Sequence, residues 1–173
     1  MNREYRHAEH CFGPVYNEES RVLILGSFPS VKSLETGFYY GHPRNRFWEI
    51  LALVTGDNVP DSIIGKRGYL LAHGIALYDV IESCDVIGSS DSSIKNVVPS
   101  DLRSMIMQSE ITAVFTNGAL AEKYYVKYQE VETKIAATCL PSTSPANAAY
   151  DIQRLYKKWN IIADYLNRKE EEK

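Results

Sequence analysis

The segment YYGHPRNRFW, residues 39–48, concentrates groups that can bind a nucleotide. Tyr40 offers a flat face on which a base can stack, and Arg44 and Arg46 can pair with phosphate. Asn45 is neutral and both donates and accepts hydrogen bonds, so it can orient a water molecule or read the edge of a base. A purely structural loop seldom needs this mixture, and the segment therefore predicts a binding site.

Other polar groups lie where short apolar runs end. Asp79 closes GIALYD and Asn117 lies in FTNG. Asp79 either caps the next element or accepts a hydrogen bond from a ligand N–H, and Asn117 either reads a ligand or forms an ordinary Asn-Gly turn. His42 is either a catalytic acid or a hydrogen-bonded strut beside Pro43. Gly26 opens GSFPS and lets the backbone turn sharply out of a buried strand.

The segment LPSTSPAN, residues 140–147, brings small hydroxyl groups to the start of an expected helix. Hydroxyls and backbone N–H groups at a helix N-terminus suit a phosphate. Ordinary capping is the alternative, with Ser144 as N-cap and Pro145 as the first helical residue, and both interpretations can hold together.

The elements that must position these groups alternate between strands and helices. Apolar runs predict strands at 21–25, 75–80, 112–116 and 135–140. Helical spacing predicts helices at 47–56, 63–73, after 100–101, at 119–128, and over a final apolar stripe at 152–166. The Ser-rich stretch 88–100 is expected to be a long surface loop. This alternation favours a parallel sheet covered on both faces, and such sheets bind ligands at the carboxyl ends of their strands.

Composition narrows the class of protein. The 173 residues fit one domain, 1–173, with a core at about 21–167 and a charged tail at 168–173. The net charge of −3 argues against a protein that coats nucleic acid through bulk charge. The apolar runs are too short to span a bilayer, and the polar N-terminus lacks a signal-peptide core. Three widely spaced cysteines suit a reducing cytoplasm and offer no CxxC pair for a metal or an iron–sulfur cluster.

Taken together, GSFPS, YYGHPRNRFW, ALYDVIESC and PSTSPAN resemble the hypoxanthine-DNA glycosylase branch of the uracil-DNA glycosylase superfamily. The resemblance runs from Arg21 to about Leu166, and its most specific part is the HP-x-NRFW core. It implies a three-layer α/β/α sandwich with a central four-stranded parallel sheet. It also implies a monofunctional enzyme that flips a deaminated base out of double-stranded DNA and hydrolyses its glycosidic bond. We expect a monomer that needs no cofactor and no metal.

The residues depart from the superfamily pattern at one position. Many relatives carry Asp or Asn two residues after the motif glycine, where it positions the attacking water, and this chain has Phe28 there. We therefore expect Asn45 to position the water, and Asp79 to read an N–H of the base. The remaining base-binding residues implied by the resemblance are Gly26, Ser27, Phe28, Tyr40 and Asn117. The implied DNA contacts are His42, Arg44, Arg46, Ser142, Thr143, Ser144 and Asn147.

Two other functions are consistent with the same residues. One is a hydrolase of free nucleosides or nucleotides on a similar sheet. The other is a nucleic-acid-binding module that keeps the pocket without catalysis. Activity on a free nucleoside would favour the first, and tight binding to lesion DNA without base release would favour the second.

Overall fold

The computed structural model describes residues 4–167, so the charged tail expected at 168–173 lies outside the described residues. In chain order, the strands are β1 (Arg6–Glu9), β2 (Val22–Gly26), β3 (Ile75–Asp79), β4 (Ile81–Val86), β5 (Lys95–Pro99), β6 (Ala113–Asn117) and β7 (Thr138–Leu140). The helices are α1 (Val31–Thr36), α2 (Phe47–Thr55), α3 (Ile63–Ala72), α4 (Leu102–Met107), α5 (Ala119–Tyr128), α6 (Glu130–Thr133), α7 (Ile152–Trp159) and α8 (Ile161–Leu166). A 3-10 turn covers Asp91–Ser93.

The predicted parallel sheet is confirmed and has the order β3-β2-β6-β7. Every residue of β2 and of β3 is buried, because helices cover both faces of the sheet. The chain passes from β2 to β3 on one side of the sheet, then crosses to the other side of β2 to form β6 and β7. The order of connection therefore reverses between β2 and β6, which is where open sheets of this kind form a binding crevice.

A second sheet, not predicted from the sequence, has the antiparallel order β1-β4-β5. The prediction of a loop over 88–100 is wrong for its second half, because β5 pairs with β4 there. The strand escaped detection because it is mostly exposed and lacks an apolar face. Only the first part of the 88–100 stretch, around the 3-10 turn, is a loop, and it connects β4 to β5.

The start of the final helix also differs from the prediction. Residues 141–150 form turns, and α7 begins at Ile152 with the Asp151 side chain accepting from the N–H of Arg154. Ser144 is therefore not a helix N-cap, and the helical stripe divides into α7 and α8 at Asn160. Among residues 4–167, no helix has both the length and the apolar character needed to cross a bilayer.

Candidate active site

A cleft of about 590 Å³ opens at the carboxyl ends of β2, β3 and β6, beside the reversal in strand order. It is the size of an ordinary small-ligand site. Eleven of the residues predicted to form the site line it: Gly26, Ser27, Phe28, Tyr40, Asn45, Asp79, Asn117, Ser142, Thr143, Ser144 and Asn147. The Ser-rich connection also contributes, through Gly88, Ser89, Asp91 and Ile94.

The floor of the cleft brings together Gly26, Asp79 and Tyr40. Gly26 ends β2 directly opposite Asp79 in the parallel register. A Cβ atom on Gly26 would lie 2.3 Å from the Oδ1 atom of Asp79 and 3.0 Å from the hydroxyl oxygen of Tyr40. Glycine is therefore needed here for space, and its absence of a side chain leaves a carboxylate oxygen and a hydroxyl close together at the floor.

Asp79 is almost completely buried, with 4% of its surface exposed. Burial raises the pKa of its carboxyl group, and a hydrogen bond from His10 opposes that rise. The Nε2 atom of His10 lies 2.8 Å from the Oδ2 atom of Asp79. The main chain around Asp79 is fixed as well, because the Ser100 hydroxyl donates to its carbonyl over 2.8 Å. These contacts therefore do not support the alternative in which Asp79 caps the next element.

Sequence reasoning missed His10 altogether. It follows β1, in which Ala8 is buried and its neighbours are exposed, so the alternation places His10 on the buried side. The main-chain N–H of His10 donates to the carbonyl of Glu82 over 2.8 Å. The period-two pattern of RHAEH was the available signal, but a five-residue segment with four ionisable side chains does not look like a buried strand.

Tyr40 contributes its hydroxyl to the cleft. One face of its ring stacks on Phe47, with centroids 3.9 Å apart and planes inclined by 23°, so that face is not available to a base. Its hydroxyl oxygen is buried and has no hydrogen bond of good geometry within the described part of the chain, although the Asn117 side chain lies near enough to oppose the rise in its pKa. Burial, and then the charge of Asp79, raise the pKa of Tyr40, so the hydroxyl keeps its proton as a donor. Phe28 also lines the cleft, is half-buried and remains the aromatic ring expected to stack on a base.

Asn45 and Asn117 are joined through Thr143. The Thr143 hydroxyl donates to the Oδ1 atom of Asn45 over 2.8 Å and accepts from the Nδ2 atom of Asn117 over 3.0 Å. The main-chain N–H of Thr143 donates back to the Oδ1 atom of Asn117 over 3.0 Å. The Oδ1 atom of Asn45 also accepts from the N–H of Phe47 over 3.0 Å, so both amides are held in fixed orientations. Thr143 is itself fully buried, and its hydroxyl serves this network instead of the predicted DNA contact.

Arg46, predicted to contact DNA, makes its recorded hydrogen bonds within the protein. Its guanidinium donates to the main-chain carbonyls of Ser144 and Asn147, at 2.8 and 3.2 Å. It donates in addition to the carbonyls of Thr143 and Tyr150. Four of its five N–H donors therefore point to carbonyls of the 143–150 loop, so Arg46 holds the path of that loop.

The other predicted contacts lie at or beside the rim of the cleft, where Arg44 is exposed and the rest are half-buried. Ser142, Ser144 and Asn147 line the cleft and form tight turns, with the Ser142 hydroxyl oxygen accepting from the N–H of Ser144 over 3.1 Å. The side chain of His42 accepts from the N–H of Arg44 over 3.1 Å, which agrees with the strut interpretation. Neither His42 nor Arg44 lines the cleft, and Arg44 is exposed beside it. Within residues 4–167, no three His, Cys, Asp or Glu side chains group as metal ligands do.

The sheet order, the cleft at its reversal and the GSFPS and HP-x-NRFW segments place the chain in one family. The model of the uracil DNA glycosylase superfamily matches residues 14–165, and the protein belongs to that superfamily. Among curated proteins, a hypoxanthine DNA glycosylase from Methanosarcina acetivorans is 33% identical over 155 residues, covering 87% of this chain and 95% of the relative. A hypoxanthine DNA glycosylase from Methanosarcina barkeri is 32% identical over 140 residues, covering 79% of this chain and 86% of the relative.

A solved structure supports the same assignment. The solution NMR structure of a candidate uracil DNA glycosylase from Methanosarcina acetivorans superposes with a TM-score of 0.77 at 29% identity. The match covers 90% of this chain and 96% of the other. The α/β architecture and the superfamily resemblance read from the sequence are both confirmed.

Proposed function

We propose that the protein is a monofunctional DNA glycosylase that removes hypoxanthine, the deamination product of adenine, and leaves an abasic site. Membership of the superfamily and the names of the two curated relatives support this activity. The proposal includes a monomer that acts on double-stranded DNA in the cytoplasm. A base inside a duplex hides its glycosidic bond, so the enzyme must flip the nucleotide out, at a cost of a few kcal/mol in lost stacking.

The observation that carries the choice of base is the pairing of an acceptor and a donor at the cleft floor. The Oδ1 atom of Asp79 and the hydroxyl of Tyr40 both lie within 3.0 Å of one point above Gly26. Hypoxanthine presents an N1–H donor beside its O6 acceptor. Asp79 would accept from N1–H while Tyr40 donates to O6, and each polar group at the floor would gain a partner.

Uracil fits this floor less well. Its N3–H is flanked by two carbonyl oxygens, and one of them would face the carboxylate of Asp79, which when ionised can only accept. A site that leaves buried polar groups unpaired discriminates strongly against the poorer ligand. The larger rings of a purine would also give Phe28 more surface on which to stack.

The hydrolytic step would depend on Asn45. Its Oδ1 atom already accepts two hydrogen bonds, so the part of the amide left for a ligand is the Nδ2 group. In this role Asn45 would orient the attacking water by donating to its oxygen, and it would not act as a base. The departing base takes up negative charge, and the hydroxyl of Tyr40 would stabilise that charge at O6. Fixed donors of this kind need no reorganisation as the bond breaks.

The DNA would be held at the rim by Ser142, Ser144, Asn147, His42 and Arg44. Hydroxyl, amide and main-chain N–H groups bind phosphates without reading sequence. The chain carries a net charge of −3, so few phosphates can be neutralised and the salt dependence of binding should be shallow. Arg46 and Thr143 would support this surface from behind, through the contacts already described.

The test is base release from matched duplexes that contain hypoxanthine, uracil or xanthine, followed by alkali cleavage at the abasic site. We expect release of hypoxanthine to be fastest and the strand to stay intact until alkali is added. Equal release of uracil would refute the assignment of base. Cleavage of free inosine without DNA would support a nucleoside hydrolase, and tight lesion binding without release would support a binding module.

A further inference from the structure

His10 is a buried polar residue that the mechanism has not yet used. Its side chain is 1% exposed, and its Nε2 atom lies 2.8 Å from Asp79. The rings of Phe12, Tyr78 and Tyr39 surround it with centroids 4.6, 4.8 and 5.7 Å away. Burying an imidazole among aromatic rings is costly unless its polar atoms find partners, and its Nδ1 atom has none within residues 4–167. A histidine kept at that cost is better explained by its contact with Asp79 than by packing.

The two oxygens of the Asp79 carboxylate have different neighbours. The Oδ2 atom is the one that His10 contacts. The Oδ1 atom is the one beside Gly26 and the hydroxyl of Tyr40, at the floor of the cleft. Without a donor on Oδ2, the carboxylate could rotate or carry a proton, and Oδ1 would no longer be a fixed acceptor.

We propose that His10 is a positioning residue that sets base preference, by donating from Nε2–H to Asp79 so that one oxygen faces the cleft as an acceptor only. The inference rests on the proposed function, because it assigns His10 a part in the same site. His10 does not reach the cleft lining, so it acts through Asp79 and is not itself a catalytic residue.

The charge state of Asp79 depends on few groups. The titratable side chains that surround it are His10 from the N-terminal segment, Tyr39 and Tyr40 from the loop before α2, and Tyr78 from β3. Burial raises the pKa of each of these tyrosines, so all three stay neutral over the working range of pH. Among residues 4–167, His10 is the group that keeps Asp79 ionised, because burial raises the pKa of Asp79 and the hydrogen bond from His10 lowers it. Removing His10 therefore raises the pKa of Asp79 further.

The experiment compares the wild-type protein with His10→Phe and His10→Gln. Phenylalanine keeps the aromatic packing and removes the donor, whereas the Gln amide places an N–H near the position of Nε2. His73→Phe is the matched control, because the Nε2 atom of His73 lies 3.1 Å from Asp57 at the surface and away from the cleft. Single-turnover release of hypoxanthine and of uracil is measured across pH, with binding to an abasic-analogue duplex and thermal melting as checks.

For His10→Phe we expect the acid limb of hypoxanthine release to move up by about one pH unit or more, as is usual when a close opposite charge or donor is lost. Below that midpoint the rate should fall about tenfold for each pH unit, following the ionised fraction. A protonated Asp79 can donate as well as accept, so the preference for hypoxanthine over uracil should narrow. His10→Gln should restore much of the preference, and His73→Phe should behave as the wild type.

Two outcomes would overturn the inference. The first is a folded His10→Phe protein with the wild-type pH profile and the wild-type preference between the two bases. The second is a carbon-13 NMR titration in which the Asp79 carboxyl group has the same midpoint with and without His10. The titration needs no activity, so it tests His10 even if the wild type releases no base, a result that would refute the proposed function alone. Should His10→Phe fail to fold, His10→Leu, which also removes the donor but has a smaller side chain, takes its place in both measurements.

Discussion

Replacing Thr143 with valine should uncouple the two amides that line the cleft while keeping the shape of the side chain. The substitution removes the hydroxyl that donates to Asn45 over 2.8 Å and accepts from Asn117 over 3.0 Å. Two neutral hydrogen bonds of this kind stabilise a fold by about 1–3 kcal/mol together. For a chain of this size the melting temperature should fall by about 4–10 °C.

The effect on activity should be larger than the effect on stability suggests. Asn45 would keep its hydrogen bond from Phe47 but lose the one that fixes the rotation of its amide. A misplacement of about 1 Å in a positioning group can lower a rate on the order of a hundredfold. We therefore expect Thr143→Val to slow single-turnover release of hypoxanthine by about tenfold to a hundredfold at a temperature where it is fully folded.

Thr143→Ser is the matched control for this prediction. It keeps the hydroxyl and removes one buried methyl group, which costs about 1 kcal/mol of stability. Its melting temperature should fall slightly while its rate stays close to that of the wild type. If Thr143→Val, fully folded, releases base as fast as Thr143→Ser, the orientation of Asn45 does not depend on Thr143 and the reasoning is wrong.

Three further substitutions test the remaining parts of the site. Asn45→Ala should slow base release by a factor on the order of 10² to 10⁴ while binding to an abasic-analogue duplex survives; a near-normal single-turnover rate would refute its role. Asp79→Asn should narrow the preference for hypoxanthine over uracil in the release assay, because an amide can donate to a carbonyl. Asp79→Asn should also raise the melting temperature at neutral pH. Because burial raises the pKa of Asp79, the wild type loses stability as pH rises through that pKa, whereas the Asn variant does not. The difference in melting temperature between the two proteins should therefore disappear in acid. Arg46→Gln should weaken binding to undamaged and damaged duplexes alike, because an amide with two N–H donors cannot serve four carbonyls. The salt dependence of binding should stay unchanged although a charge is lost; a salt slope shallower by about one unit would mean instead that Arg46 contacts phosphate.

Much of the fold could be predicted because buried parallel strands are continuous apolar runs. VLILG and IALYD are buried at every residue, and their runs predicted β2 and β3 to within a residue or two. The second sheet could not be predicted in this way. β5 pairs with β4 along one edge and is mostly exposed, so main-chain hydrogen bonds stabilise it. Such a strand does not need alternating apolar and polar residues, and its sequence therefore lacks the pattern that predicts a strand.

The site was predicted where its residues follow strand ends, and missed where they arrive from elsewhere. Gly26, Asp79 and Asn117 converge because parallel strands end at one edge of the sheet. His10 reaches the same place from a different sheet, by a register that only the pairing of β1 with β4 sets. The main-chain contacts of Arg46 could not be predicted for a related reason, since residue type predicts what a guanidinium can bind but not which acceptors the fold brings near it.

The way in which Arg46 holds the 143–150 loop bears on how readily this surface can change. All four of its acceptors are main-chain carbonyls, which every amino acid carries. The side chains at the exposed positions of the loop, such as Ala146 and Ala148, can therefore be exchanged without losing the contacts of Arg46. The main-chain path of the rim is therefore fixed, while the side chains displayed on it can vary. Directed evolution of DNA contacts should tolerate wide variation at those positions, while Arg46 itself accepts almost none.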